Sequence, residues 1–323
     1  MLHAAGHACS LLALLAVSSG GSVAASAEGV PDLLGAACEA KNPEGVVTLR
    51  ARGTATVYIP EGSFVMGSTP AEVAIAAEMC KREPLGDETC ERPFANELEA
   101  HEVMLSAYFI DRTEVTVGDY RRCVQLGACA PPPFAAGGER LDRLDLPVTL
   151  VAFSDAESYC RFAGGRLPTE AEWERAARGT AGRRFPWGNA YNPKLANHGT
   201  LAIDETDDGD GFAELAPVGS FAAGRTPDGI DDLAGNAAEW IADTIEDVSS
   251  ARYPPTSEVN PKGAAVGALR VVRGGGYETA APWLRSAART FRLASARKPF
   301  LGFRCVRPVQ GGIQRPEASR PPP

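Results

Sequence analysis

No stretch of this 323-residue chain approaches the run of roughly 20 apolar residues that a membrane-spanning helix needs, so none is expected to cross a bilayer. Positive charge is in short supply: 32 Lys and Arg stand against 41 Asp and Glu, for a net charge of -9. That balance argues against nucleic acid and anionic membranes as partners and suits hard cations such as calcium. Histidine is scarcer still, with four residues, and His3 and His7 precede the first apolar run. His101 and His198 remain and form no motif, whereas two histidines with a carboxylate are the minimum for a non-haem iron facial triad. His101 reads as a surface or strand residue, and His198 as a loop residue whose backbone matters. The sequence also lacks internal repeats and any clean linker between two cores, so one large domain is expected. Gly 34 and Pro 25 together imply many turns and irregular loops within it.

The N-terminus reads as an export signal. Residues 11–17 form a short apolar run, and Ala25-Ser26-Ala27 fits a small-residue cleavage site. Lys and Arg are missing before the run, which is atypical. Residues 1–27 are accordingly assigned as a signal peptide, 28–50 as an extended or poorly ordered lead-in, 51–307 as the domain, and 308–323 as a disordered Pro-rich tail. The expected location is secreted or periplasmic. Of 8 Cys, Cys9 departs with the signal, leaving an odd set. Disulfides persist in oxidising compartments. Cys80 with Cys90, and Cys123 with Cys129, are close enough to close small loops, with Cys38 the expected leftover. Buried free thiols are the alternative.

Residues 55–68 alternate around Glu61-Gly62 and read as a hairpin. Residues 71–100 form a charged insertion, and 103–110 read as a strand. Thr116 is placed to cap a helix running to about Cys123, with Asp119 in its first turn. Ser154 with Glu157, and Thr169 with Glu172, have the spacing of capping boxes, and Gly179 ends the second of these helices. Later residues turn to loops, with buried strands expected at 269–272 and 301–306.

The strings in these elements resemble one family. Ile59-Pro60-Glu61-Gly62-Ser63-Phe64-Val65-Met66-Gly67-Ser68 resembles its opening segment, and Tyr108-Phe109-Ile110-Asp111-Arg112-Thr113-Glu114-Val115-Thr116 its second signature. Gly165-Arg166-Leu167-Pro168-Thr169-Glu170-Ala171-Glu172-Trp173-Glu174 is the most diagnostic. Phe185-Pro186-Trp187-Gly188-Asn189, Gly235-Asn236-Ala237-Ala238-Glu239-Trp240, Arg273-Gly274-Gly275 and Leu301-Gly302-Phe303-Arg304-Cys305 follow in the family's order. By these motifs the chain is identified as a member of the formylglycine-generating enzyme, or sulfatase-modifying factor, family. The resemblance implies an α+β, C-type-lectin-like fold with little regular secondary structure. It also implies a Cys160–Cys305 bridge; the family's other structural bridge is absent, since Ala177 stands at one of its positions.

The resemblance implies two calcium sites. One would use the Asn197 side chain, the His198 carbonyl, Asp210 and the Phe212 carbonyl. The other would use Asp232, the Gly235 and Ala237 carbonyls, and Glu239. An EF-hand starting at Asp204 competes for the acidic run but fails at its last ligand, where Leu215 replaces Glu.

Relatives oxidise a substrate cysteine with oxygen at a copper(I) site held by two cysteines just after Arg-Gly-Gly. Soft thiolates select copper(I). Here residues 273–289 contain no cysteine. Thr279 stands about where the first thiol belongs, the segment is about three residues short, and Gly276 replaces a family Ser. Copper is therefore not expected, iron is left open, and no catalytic residue is assigned. Tyr277, Glu278, Thr279, Trp283, Arg285 and Arg289 become candidates for a binding cleft, because aromatic and Arg residues recur at binding hot spots. The leading reading is a calcium-stabilised binding or accessory module for a peptide, glycan or protein ligand. The rivals are an enzyme of different chemistry on the same scaffold, as in relatives with non-haem iron or of siderophore maturation, and a lectin-like envelope protein.

Overall fold

A computed structural model describes residues 54–309 apart from 133–138, 202–207, 249–252, 254–256 and 264–266, together with strands at 39–41 and 47–50. The expectations for the signal peptide, Cys38, Asp204 and residues 310–323 lie outside the described residues.

The fold is mixed α/β with modest regular structure, as expected. Short strands fall into three sheets. The first has β1 (Glu39–Lys41), β2 (Val47–Arg50), β3 (Ala55–Ile59), β6 (Tyr108–Asp111) and β12 (Val306–Pro308), in that order. The second joins β4 (Gly62–Met66), β5 (His101–Leu105) and β8 (Glu258–Val259). The third runs β10 (Arg289–Leu293), β9 (Leu269–Arg273), β7 (Ala238–Ile245), β11 (Leu301–Gly302). Among the described residues four helices pack around them: α1 (Pro70–Lys81), α2 (Val117–Gln125), α3 (Phe153–Phe162) and α4 (Glu170–Arg178).

Several expectations are corrected. The 55–68 hairpin is not one: β3 pairs with β6 while β4 pairs with β5, so the chain changes sheets at Pro60-Glu61. Alternation establishes two strands but not their partners. The 103–110 strand likewise splits at Ser106-Ala107 into β5 and β6, on different sheets. The lead-in contributes β1 and β2, which extend the first sheet beyond β3. The charged insertion holds α1, whose N-cap Thr69 forms a capping box with Glu72, and a 3-10 segment, Glu88–Glu97. Ser154 is not a cap. Its helix starts at Phe153, and Asp155 accepts from the Ala152 N–H at 2.9 Å. The acid at the third helical position does half of a capping box's work without a hydroxyl partner. The 301–306 strand breaks into β11 and β12, because residues 303–305 turn Phe303, Arg304 and Cys305 into the core.

Thr116 and Thr169 cap α2 and α4 as read, and Gly179 closes α4 with φ +64°. Such a positive φ favours glycine. Disulfides join Cys80–Cys90, Cys123–Cys129 and Cys160–Cys305, and no described cysteine is free.

Two hydrophobic clusters form the core. One packs α2 and α3 against Trp240 and Phe303. The other packs α4 and Trp173 against β3–β6. Charged pairs cross the second. Arg273 and Glu174 have no exposed side-chain surface and pair with each other, and Glu174 also accepts from the Gly67 N–H at 2.8 Å. A guanidinium without water must meet a carboxylate. Glu174→Gln should therefore lower stability by about 3–5 kcal/mol, read as a fall in Tm, whereas replacing both residues by apolar ones should restore much of the loss. Equal Tm values for wild type and Glu174→Gln would contradict the pairing.

Candidate ligand cleft and cation loops

After β9 the chain turns sharply, with Gly274 at φ +86° and Gly275 at φ +69°. A Cβ at Gly275 would lie 2.8 Å from the Thr279 side chain, so the turn admits only glycine there. Thr279 closes it: its hydroxyl accepts from the Gly276 N–H at 2.9 Å, and its N–H donates to the Gly276 carbonyl at 2.8 Å. The residue at the expected thiol position is thus a turn-forming hydroxyl.

Beside this turn lies a small cleft, a cavity of about 50 Å³, walled by Glu278, Thr279, Trp283, Thr290, Arg292 and Phe300. Burial raises the Glu278 carboxyl above its ordinary range, against the pull of Arg292 and Lys298. Three of the six sequence candidates, Glu278, Thr279 and Trp283, therefore line one cavity. Tyr277 does not line the cleft; it packs against the first core cluster, and its N–H donates to the Asn236 carbonyl at 2.9 Å. Arg285 and Arg289 are corrected more firmly. Arg285 is 2% exposed and grips both oxygens of Glu97 at 2.9 and 2.6 Å. Arg289 does the same to Glu170 at 2.8 and 2.6 Å. Both are internal ion-pair partners with no fork left for a ligand. The sequence reading missed Thr290, Arg292 and Phe300. Strand alternation puts 290 and 292 on one face of β10, which was the available signal.

Gly276, where the family has Ser, has its own constraint: a Cβ there would lie 2.9 Å from the Phe300 Cβ and 3.0 Å from its carbonyl. Phe300 occupies the space that a side chain at 276 would need.

Among the cation candidates, Asn197 is 1% exposed. Its amide N–H groups donate to the Glu214 carbonyl and to Asn236 Oδ1, while its own Oδ1 is buried with no donor. Asp210 accepts from the His198 N–H at 2.7 Å and the Phe212 N–H at 2.9 Å, which draws the first set together. An orphaned amide oxygen, one residue from the backbone N–H that Asp210 binds, fits an oxygen-seeking cation. The second set fits less well. Both oxygens of Glu239 accept from Arg304 at 2.7–2.9 Å, and Oε2 also from the Trp173 indole at 2.9 Å. That leaves Asp232 and the Gly235 and Ala237 carbonyls without an uncommitted carboxylate from Glu239. Asp232, at φ +58°, accepts from the Gly219 N–H at 2.6 Å. Glu114, which the sequence reading did not assign, lies close to it. Its Oε1 accepts from Asn236 and the Ala237 N–H, and its Oε2 has no donor. Burial, then the Asp232 charge, hold the Glu114 carboxyl well above its ordinary range, and burial pushes Asp232 up to about 6.

His198 is buried, with Nε2 3.1 Å from the Tyr191 hydroxyl. His101 is a buried strand residue, Nδ1 2.8 Å from the Glu99 carbonyl. Among the described residues, no three His, Cys, Asp or Glu side chains converge as a metal cluster.

The family profile of the Sulfatase-modifying factor enzyme 1-like domain matches residues 44–309, and the chain belongs to that family. It is 37% identical over 189 residues to the formylglycine-generating enzyme of Thermomonospora curvata, covering 56% of this chain and 61% of that protein. To the formylglycine-generating enzyme of Bos taurus it is 30% identical over 355 residues, covering 92% of each. A Mus musculus protein named Inactive C-alpha-formylglycine-generating enzyme 2 is 36% identical over 181 residues, 54% of this chain and 53% of that one. Among solved structures, PvdO from Pseudomonas aeruginosa shares the fold with TM-score 0.63 at 24% identity, over 84% of this chain and all of that one.

Gly276→Ser should be destabilising, because the new Cβ meets the Phe300 Cβ, and Phe300→Gly, which removes that atom, should partly relieve the defect in the double variant. Thermal melting of the two single variants and the double variant tests this; strictly additive effects would break the assigned contact.

Proposed function

We propose that this chain is an exported, calcium-stabilised family member that binds a peptide at the 274–300 cleft as an accessory module and does not generate formylglycine. The observation that carries this reading is the identity of the group at the cleft's turn. Thr279 offers a hydroxyl already engaged with Gly276, and all six described cysteines are bound to one another elsewhere. A hydroxyl is a hard, neutral donor and does not replace the soft anionic sulfur that copper(I) prefers. The mouse relative whose name begins with "Inactive" is a precedent, in name, for a member without the reaction. Export is supported by the apolar run at 11–17, by Ala25-Ser26-Ala27 and by the disulfides, which suit an oxidising compartment. Calcium is supported chiefly by the orphaned Asn197 oxygen and by Asp210, which binds the N–H of the next residue, His198. The cleft joins a guanidinium, a carboxylate and aromatic walls, a mixture suited to a peptide.

Incubation with a Cys-x-Pro-x-Arg peptide, copper and oxygen should give no aldehyde by mass spectrometry; an aldehyde would overturn the reading. A degenerate heptapeptide library should be retained in preference to an oligosaccharide array, whereas retention of sugars alone would favour a lectin-like role. Stoichiometric iron in the purified protein would favour an enzyme of other chemistry.

EDTA should lower the Tm of wild type, and Asn197→Ala should both lower Tm and abolish the EDTA response. If EDTA leaves wild type unchanged, the calcium assignment fails.

A further inference from the structure

The insertion between β4 and β5 presses on one wall of the cleft. The Cys80–Cys90 bridge staples α1 to the 3-10 segment, and these two cysteines form a small core with Ala76 and Phe94. Trp283 packs against that core: the fully buried Phe94 ring lies 5.2 Å from the Trp283 ring, tilted by 46°. The grip continues along the chain. Glu97 pairs with Arg285, whose guanidinium lies 4.9 Å over the Phe94 ring, and Arg289 donates to the Asn96 carbonyl at 3.1 Å. Residues 94–97 thus hold segment 283–289 at three points.

Trp283 differs from the other three tryptophans. The indole N–H groups of Trp173, Trp187 and Trp240 donate to Glu239, the Ala190 carbonyl and the Val151 carbonyl. The Trp283 indole N–H has no partner among the described residues, and the residue is partly exposed where it lines the cleft. A held aromatic ring with an unspent donor is the equipment for gripping an extended backbone, ring face against the chain and N–H to a carbonyl.

We infer that Trp283 is the ligand-contact residue of the cleft, offering its ring and its indole N–H to a backbone carbonyl of a bound peptide, and that Phe94, fixed by the Cys80–Cys90 staple, is the positioning residue that sets its angle. This rests on the peptide-binding reading of the cleft.

The probe is the heptapeptide pool retained by the wild-type full chain. Trp283→Phe keeps a ring and removes the donor, so its affinity for the pool should fall about tenfold, as for a lost hydrogen bond. Phe94→Leu and the Cys80→Ala/Cys90→Ala double variant should also weaken binding. Independently of any ligand, acrylamide quenching of the Trp283 emission, isolated by difference from Trp283→Phe, should rise in Phe94→Leu. Wild-type affinity in Trp283→Phe would overturn the contact assignment. Unchanged quenching in a folded Phe94→Leu would overturn the positioning role. If wild type retains no peptide, the cleft reading and the contact assignment fall together, and the quenching comparison still decides the role of Phe94.

Discussion

A guanidinium removed from water has to end on a carboxylate, and this fold meets that demand four times in its last third. Arg273, Arg285, Arg289 and Arg304 are nearly or fully buried and terminate on Glu174, Glu97, Glu170 and Glu239 respectively. The acids come from α4, the 3-10 segment and β7, so each pair ties a late strand or turn to an element formed far earlier in the chain. A misregistered strand would strand a charge in the core, at a cost of several kcal/mol. The geometry of the cleft follows from these fixings. Residues 274–284 lie between two of the anchored arginines, which fix the ends of the turn that Thr279 closes.

The same turn is joined to the loop at 197–199 by backbone. The Gly199 N–H donates to the Thr279 carbonyl at 3.1 Å, and a Cβ at Gly199 would lie 2.7 Å from the Glu278 carbonyl carbon. Residues 197–199 therefore have one side toward Asp210 and the other against the floor of the cleft.

Motif strings and caps were the most legible part of the sequence, because they act within a few residues: Thr169 finds Glu172, Thr116 finds Asp119, and glycine ends α4. The family strings carried the fold class. Strand partners were opaque, since the pattern that marks 55–59 and 62–66 as strands is indifferent to which sheet each joins. The roles of Arg285 and Arg289 were opaque for a related reason. A sequence gives a charge but not the acid 188 or 119 residues away that consumes it. Glu239 was read as a cation ligand from its motif, and its commitment to Arg304 depends on a residue 65 positions later. Cys160–Cys305 spans 145 residues and came only from resemblance, whereas the two short loops could be proposed from spacing.

The first sheet seats β6 between β3 and β12, with Ile110 opposite both Val57 and Val306. One flank of β6 is thus supplied by the far end of the domain. During synthesis that flank stays unpaired until the final strand has left the ribosome, so the polypeptide emerges with an open, apolar sheet edge for most of its translation. A late-closing architecture of this kind completes the fold, and the Cys160–Cys305 link beside β12, only once the last strand of the domain is available.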